Sequence, residues 1–341
     1  MRASTNSAYR TISTRKNCVH LPSFNEYLSA GVCLDRWLVE AIPDTVGSEL
    51  EWRIMIHQLI KTTILLGACA TIGGCKVGQK IVEYLPPRGS GDEVIYATSF
   101  DSPVWFWELG TRKAPENATI IDADPQNKYK PFDGSALRIA IPKGSHKGMA
   151  DLSFYLKDQT GSEPEELYFR YYLRFGNDWQ TVTSGKLPGI VGTYGQAGWG
   201  GRRANGKNGW SARGWFSATT DDGKIQIGFY SYHADMKTKV GTKWQWTNGK
   251  RGLLKRNRWY CIEQYVKLNT PGKNNGVLRG WVDGKPAFVK KDIRFRDVPN
   301  LKIERVWLEA YHGGSKTAAK DHHLYIDDVV ISRKYIGPRP R

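Results

Sequence analysis

Glu166-Leu167-Tyr168-Phe169-Arg170-Tyr171-Tyr172-Leu173-Arg174-Phe175 decides the fold. In an extended chain Leu167, Phe169, Tyr171, Leu173 and Phe175 fall on one side, and Arg170, Tyr172 and Arg174 fall on the other. That period of two is the signature of a strand with one buried face. Similar runs recur at residues 136–141, 149–156, 225–232, 277–282, 304–311 and 324–331, separated by Gly, Asn, Asp and Pro. Val282-Asp283-Gly284-Lys285 marks a tight hairpin, and no long helical period follows residue 92. The expected fold is all-β, an antiparallel sandwich or jelly roll.

Upstream the pattern differs. Pro86-Pro87-Arg88-Gly89-Ser90-Gly91 reads as a linker, so the folded domain is expected over residues 92–341, with the linker at 76–91. Met55-Ile56-His57-Gln58-Leu59-Ile60-Lys61 supplies a short basic lead, and residues 62–72 form an apolar run of eleven, too short to span a bilayer. The run ends in Gly73-Gly74-Cys75, which is similar to a bacterial lipoprotein cleavage site, with Leu66-Gly67-Ala68-Cys69 as a second match. Residues 55–75 are therefore expected to be an export signal with lipidation at Cys75, and residues 1–54 an extension outside the fold. This predicts a lipid anchor and a location in the bacterial cell envelope or outside the cell. The competing reading is a cytosolic segment with a buried helix at 55–72.

The 341 residues include 36 Gly, 13 Trp and 17 Tyr, and 40% are hydrophobic, enough for a sizeable core. So many Trp exceed what a core needs, and indole and phenol rings on a surface stack on the apolar faces of sugars. Net charge is +17. Residues 1–90 hold 10 basic and 7 acidic side chains, which leaves 40 basic and 26 acidic from residue 91 on, or +14. A basic surface concentrates polyanions, and charge alone admits nucleic acid, anionic membrane and acidic polysaccharide. Cys18, Cys33, Cys69, Cys75 and Cys261 are odd in number and lack metal-ligand spacing, so neither a disulfide framework nor a zinc site is expected, and Cys261 reads as a small buried hydrophobe.

Residues 179–220 contain no Asp or Glu but hold Lys186, Arg202, Arg203, Lys207 and Arg213 among ten glycines. The glycine-rich middle, 192–209, suits a mobile loop that folds over a bound chain; a long solvated hairpin would explain the glycines but not the one-sided charge. Around it lie Gly185-Lys186-Leu187-Pro188-Gly189, Ser211-Ala212-Arg213 and Tyr230-Ser231-Tyr232-His233. If Ile225, Ile227 and Phe229 face the core, then Gln226, Tyr230 and Tyr232 point the opposite way, and Ser211 and Arg213 share a face. Taken singly, such pairs ordinarily decorate a solvated sheet.

Together, Lys-Leu-Pro-Gly, Ser-x-Arg and Tyr-x-Tyr-His resemble polysaccharide lyase family 14, which includes alginate and glucuronan lyases. The resemblance spans residues 165–336, from Glu166-Leu167-Tyr168-Phe169-Arg170 through Leu324-Tyr325-Ile326-Asp327-Asp328-Val329. It implies a jelly-roll, concanavalin-like sandwich with a concave substrate cleft, an acidic polysaccharide substrate, and Lys186, Ser211, Arg213, Tyr230 and Tyr232 as functional residues. The chemistry asks for the same residue types. β-Elimination removes the proton beside a uronate carboxylate and expels from C4 of the same ring the oxygen that bridges to the neighbouring sugar, so charge develops on the carboxylate, where Arg213 and Ser211 can hold it. Lys186 and Tyr230 are the acid/base pair, in an order left open, and Tyr232 positions the sugar.

His233, Gln226, Glu263 and Tyr265 are expected to line the same cleft with Arg202 and Arg203, since Glu263 and Tyr265 alternate away from Ile262, Gln264 and Val266. Asp321-His322-His323 reads as a solvated turn rather than a metal site, and Asp327-Asp328 as structural. No cofactor and no catalytic metal are expected, and a monomer is the default. A glycoside hydrolase would need two carboxylates across the scissile bond, and no Glu-x-Asp-x-Glu run is present. Nucleic acid is favoured by charge alone, with no recognition motif. The rival is a non-catalytic carbohydrate-binding module, which has no need of Lys186 beside Tyr230.

Overall fold

The computed structural model describes residues 93–340 apart from 103, 104, 107, 108, 110, 112 and 113, all within the unit Glu83–Arg341. The expected extension at 1–54, the signal at 55–75 with Cys75, and the linker at 76–91 lie outside the described residues. Among the described residues fifteen strands follow in order: β1 (Val94–Thr98), β2 (Ala118–Ile121), β3 (Ala136–Ile141), β4 (Lys147–Tyr155), β5 (Glu166–Phe175), β6 (Gly185–Gly192), β7 (Trp210–Thr219), β8 (Lys224–Tyr232), β9 (Thr242–Gln245), β10 (Leu253–Lys255), β11 (Tyr260–Lys267), β12 (Gly276–Val282), β13 (Lys285–Ile293), β14 (Arg305–His312) and β15 (His322–Ser332). Among the described residues a single α-helix of five residues, α1 (Leu156–Thr160), interrupts them.

The strands form two antiparallel sheets. Eight make one sheet in the order β13-β12-β11-β5-β15-β3-β2, with β1 on β15; seven make the other in the order β10-β8-β7-β6-β14-β4, with β9 on β8. The run quoted above is β5, central in the first sheet. Its five apolar side chains, Leu167 to Phe175, are at most 1% exposed and meet Leu187, Ile190, Phe216, Ile227, Phe229, Val306 and Leu308 from the second sheet in one core. The fold is the expected all-β sandwich. The hairpin at Val282 to Lys285 is also as read: Asp283 and Gly284 take φ of 50° and 73°, the left-handed pair a two-residue turn requires.

Two polar groups tie the sandwich where apolar packing cannot. Gln264, on the core face of β11 and fully buried, donates from Nε2 to the Pro188 carbonyl of β6 at 2.8 Å. The bond crosses the core and lands beside Leu187, at the irregularity β6 shows between Leu187 and Gly189 against β7. On the opposite face of the first sheet, Arg170 holds the Asp328 carboxylate at 2.8 Å where β15 slips register between Asp327 and Val330, so Asp327-Asp328 is structural. Burial pushes the Asp327 carboxyl up to about 9.

One expectation is overturned. Asp321-His322-His323 is not a solvated turn: His322 opens β15 opposite Ile141 and is 1% exposed, and His323 Nδ1 meets Asp178 Oδ2 at 2.6 Å. Pairing with β3 extends the strand to His322, past the apolar run that marks it in sequence.

Replacing Gln264 by Leu leaves the buried Pro188 carbonyl without its donor, so a loss of about 1–3 kcal/mol is expected. It is read as a lower urea midpoint at unchanged slope.

Candidate active site

Alternation builds the site. On β7, Trp210, Ala212 and Phe216 belong to the core, so Ser211, Arg213 and Trp215 stand on the outer face of the seven-stranded sheet. The same division on β8 sends Tyr230 and Tyr232 outward, and on β14 it sends Trp307, Glu309 and Tyr311 outward, away from Val306, Leu308 and Ala310. Register then lines them up across neighbouring strands, about 4.8 Å apart. One row runs Tyr311, Lys186, Trp215. The next runs Trp307, Gly189, Arg213, Tyr230, Lys243, and the third Arg305, Val191, Ser211, Tyr232. Lys186, Arg213, Tyr230 and Tyr232 are thus brought together as the sequence suggested.

Charge at the centre is arranged around one buried ion pair. Arg213 Nη1 donates to Glu309 Oε2 at 2.7 Å, with side chains 4% and 6% exposed. The guanidinium carbon lies 5.1 Å from the Trp307 ring centre and 5.8 Å from that of Tyr230, and Nε is buried without a partner. Lys186 Nζ sits 4.4 Å from the Tyr230 ring centre and 5.7 Å from that of Tyr311. A methyl group at Gly313 would come within 2.7 Å of that nitrogen, so the missing side chain there makes room for the lysine. Burial, then Arg213 and Lys243, push Lys186 down to about 8, against the pull of Glu309. Burial, then Tyr232, push Tyr230 up to about 12, opposed by a backbone hydrogen bond from Gly241 and by Arg213. The two adjacent groups are displaced in opposite directions, away from each other, the ammonium made acidic and the phenol kept protonated.

The glycine-rich loop is pinned across this face. Ser211 Oγ donates to the Gly198 carbonyl at 2.7 Å, the Gly201 N–H donates to Tyr232 Oη at 3.3 Å, and the Asp297 N–H donates to the Gly206 carbonyl at 2.7 Å. Ala204 and Met236 pack with Trp215, Tyr230 and Tyr232. Arg202 and Arg203 are exposed on the loop, Arg202 with its guanidinium 4.4 Å from the Trp199 ring centre.

Other expected site residues are placed elsewhere. The proton of Ser211 is committed to Gly198, which makes this hydroxyl a latch for the loop rather than a free donor. Gln226 spends its amide on the carbonyls of Ile227, Trp246 and Gly252. His233 follows Phe229 and Ser231 in alternation, so it faces away from Tyr230 and Tyr232; it meets Thr242 Oγ1 at 3.0 Å and stacks on Trp244. Glu263 and Tyr265 do alternate away from the core, but on β11 of the other sheet. There Glu263 accepts the N–H groups of Ile336 and Gly337, and Tyr265 donates to Glu166. Alternation gives a face, not a sheet. The residues that sequence reasoning missed are Glu309, Trp307, Tyr311, Trp215 and Lys243; the first three were visible as the non-apolar phase of the run 304–311. Among the described residues, no group of three or more His, Cys, Asp or Glu is placed to hold a metal.

Comparison with known proteins bears on the family and the fold. The profile of the family described as polysaccharide lyase 14 matches residues 130–329. Among solved structures, the marine PL-14 alginate lyase from Aplysia kurodai superposes with a TM-score of 0.51 at 18% identity, over 72% of this chain and 99% of that one. Alginate lyase Aly36B does so with a TM-score of 0.51 at 20% identity, over 61% and 84%. A variant of Aly36B in complex with alginate tetrasaccharide gives 0.50 at 20% identity, over 60% and 82%. No curated protein sequence matches.

Removing one partner of a buried ion pair strands the other. Arg213→Met is therefore expected to cost about 3–5 kcal/mol, whereas Arg213→Met with Glu309→Met should recover most of the stability in the same denaturant titration.

Proposed function

The chain belongs to the polysaccharide lyase 14 family, and we propose that it cuts an acidic, uronate-containing glycan, alginate or glucuronan, by β-elimination at Lys186, Arg213 and Tyr230. The observation that carries this reading is the contact between a lysine lowered to about 8 and a tyrosine raised to about 12, beside a buried guanidinium. Family membership makes the chain a lyase, and the reading of a binding module without chemistry gives way to it.

The steps follow from the residues. A uronate carboxylate docks against Arg213, whose Nε lacks a partner, and the exposed Lys243 adds positive charge next to Tyr230. Glu309 holds the guanidinium by one edge, which keeps it oriented before substrate arrives. Neutral Lys186 takes the proton at C5, made acidic by the neutralised carboxylate. The electron pair forms the C4–C5 double bond, the bond from C4 to the bridging oxygen breaks, and Tyr230 gives that oxygen its phenolic proton. The Lys186 ammonium then returns a proton to the phenolate, which restores both groups. The products are a new chain end with a hydroxyl and an unsaturated uronate at the new non-reducing end. Lysine as base and tyrosine as acid follow from the opposite directions of their shifts. Tyr232, whose hydroxyl accepts from Gly201, positions both the sugar and the loop.

We further propose export with a lipid anchor at Cys75, supported by the basic lead, the apolar run and Gly73-Gly74-Cys75; the protein then meets its polymer outside the cytoplasm, as a monomer. Labelling with a fatty acid that is lost in Cys75→Ala is the expected result.

The first assay is ultraviolet absorbance of unsaturated uronate with polymannuronate, polyguluronate, glucuronan and a neutral glucan. Absorbance is expected to rise on an acidic polymer only, with Lys186→Ala and Tyr230→Phe each lowering kcat by at least about a hundredfold; no product from any polyuronate would sink the reading. Because the base must be neutral, kcat/KM of the unaltered protein should climb with pH to a plateau above about 8 and fall away below it.

A further inference from the structure

The outer face of the eight-stranded sheet, across the core from Lys186, carries an aromatic patch that this chemistry leaves unused. Tyr168 on β5, Tyr265 on β11, Arg279 on β12 and Val289 on β13 are direct neighbours across four strands. Trp281 lies two residues along β12, and Tyr335 folds back from beyond β15. The ring centres of Tyr168 and Tyr265 are 4.5 Å apart, those of Trp281 and Tyr335 5.2 Å, and those of Tyr168 and Trp281 6.3 Å. Tyr335 is 45% and Val289 58% exposed, and Tyr168 and Trp281 are partly exposed. The hydrogen bonds from Ile336 and Gly337 to Glu263 fix the segment that presents Tyr335.

Charge says what suits this patch. Arg279 lies with its guanidinium 5.8 Å from the Tyr265 ring centre, and Arg333 and Lys267 flank a recess beside Glu166. Arg279 and Arg333 are exposed and make no ion pair among the described residues. The nearby carboxylates are engaged: Glu165 by Arg296 at 2.7 Å, and Glu166 by Tyr265 at 2.8 Å and Lys267 at 3.9 Å. Contiguous aromatic surface in water marks a binding face, phenol and indole rings present an apolar body with a polar rim, and unpaired cations select an anion. Sugar rings that carry carboxylates meet all three conditions.

We infer that this outer face, centred on Trp281 and Tyr335 and bracketed by Arg279 and Arg333, is a second, non-catalytic binding surface for acidic polysaccharide. The inference rests on the proposed substrate class. A long chain held there keeps its neighbouring stretches at raised local concentration around the catalytic face, whereas a short oligosaccharide cannot reach both faces at once.

The test compares the unaltered protein with Arg279→Glu, an exposed change that removes no core group, and with Trp281→Ala/Tyr335→Ala. Two readouts are needed: kinetics on a uronate tetrasaccharide and on long polymer, and migration of Lys186→Ala versions through gels containing alginate, glucuronan or neutral glucan. The expected result is unchanged tetrasaccharide turnover, a KM on polymer raised at least about fivefold, and loss of retardation in an acidic gel alone. Equal kinetics on polymer with unchanged retardation would overturn the inference, as would an equal loss on both substrates. A changed sedimentation coefficient would overturn it too, by assigning the face to a second copy of the chain. If the unaltered protein makes no unsaturated product at all, the lyase reading fails by itself and the gels still decide the fate of the patch.

Discussion

A strand has two sides and a sandwich has one inside, so β6, β7, β8 and β14 each give half of their side chains to the core and leave the other half for chemistry. Everything at the site depends on that partition. Trp210, Ala212 and Phe216 hold β7 down, and Ser211, Arg213 and Trp215 stand up because the alternate positions are committed. The antiparallel register does the rest. It sets Arg213 directly opposite Tyr230 and Lys186 directly opposite Trp215 and Tyr311, so residues far apart in the chain become neighbours with no loop required to bring them together. Groups carried on a packed sheet are held more closely than groups on loops.

Within that frame the charges are balanced against burial. A guanidinium, an ammonium and a phenol share a space with little water, and the one carboxylate among them, Glu309, answers Arg213 rather than Lys186. Were Glu309 absent, nothing in the cluster would offset the repulsion that Arg213 and Lys243 exert on Lys186. Were it bonded to the lysine instead, the ammonium would be held charged and useless as a base. The placement of a single acid therefore separates a cation that binds from a cation that reacts.

Much of this was legible in the sequence, because period-two alternation is a local property. β5 read off its own ten residues, and the outward direction of Arg213, Tyr230 and Tyr232 followed from the apolar residues beside them. Long-range facts were not legible. Glu263 and Tyr265 obey the same alternation, yet they belong to the other sheet, and no local pattern says which sheet a strand joins. His233 was misplaced although the rule was available: it is in phase with Phe229 and Ser231. Glu309 escaped because an acid in a basic protein does not announce which cation it will meet, and the bond that Ser211 makes escaped because a hydroxyl's partner is set by a loop thirteen residues back. The one-sided charge of residues 179–220 did not reveal the division within it: Arg202 and Arg203 lie on the exposed loop while Lys186 and Arg213 lie on the sheet.

The hydrogen bond from Gln264 to Pro188 bears on the mechanical character of the molecule. Two greasy sheets resist being pulled apart far more than they resist gliding over one another, because gliding exposes little new surface. A directional bond resists the glide. Set through the middle of the core, it acts as a key between the layers, and the strand it locks is the one that carries Lys186. The reactive nitrogen is thereby indexed to the opposite sheet, and thermal creep of one layer over the other is checked where a displacement of an ångström would cost most.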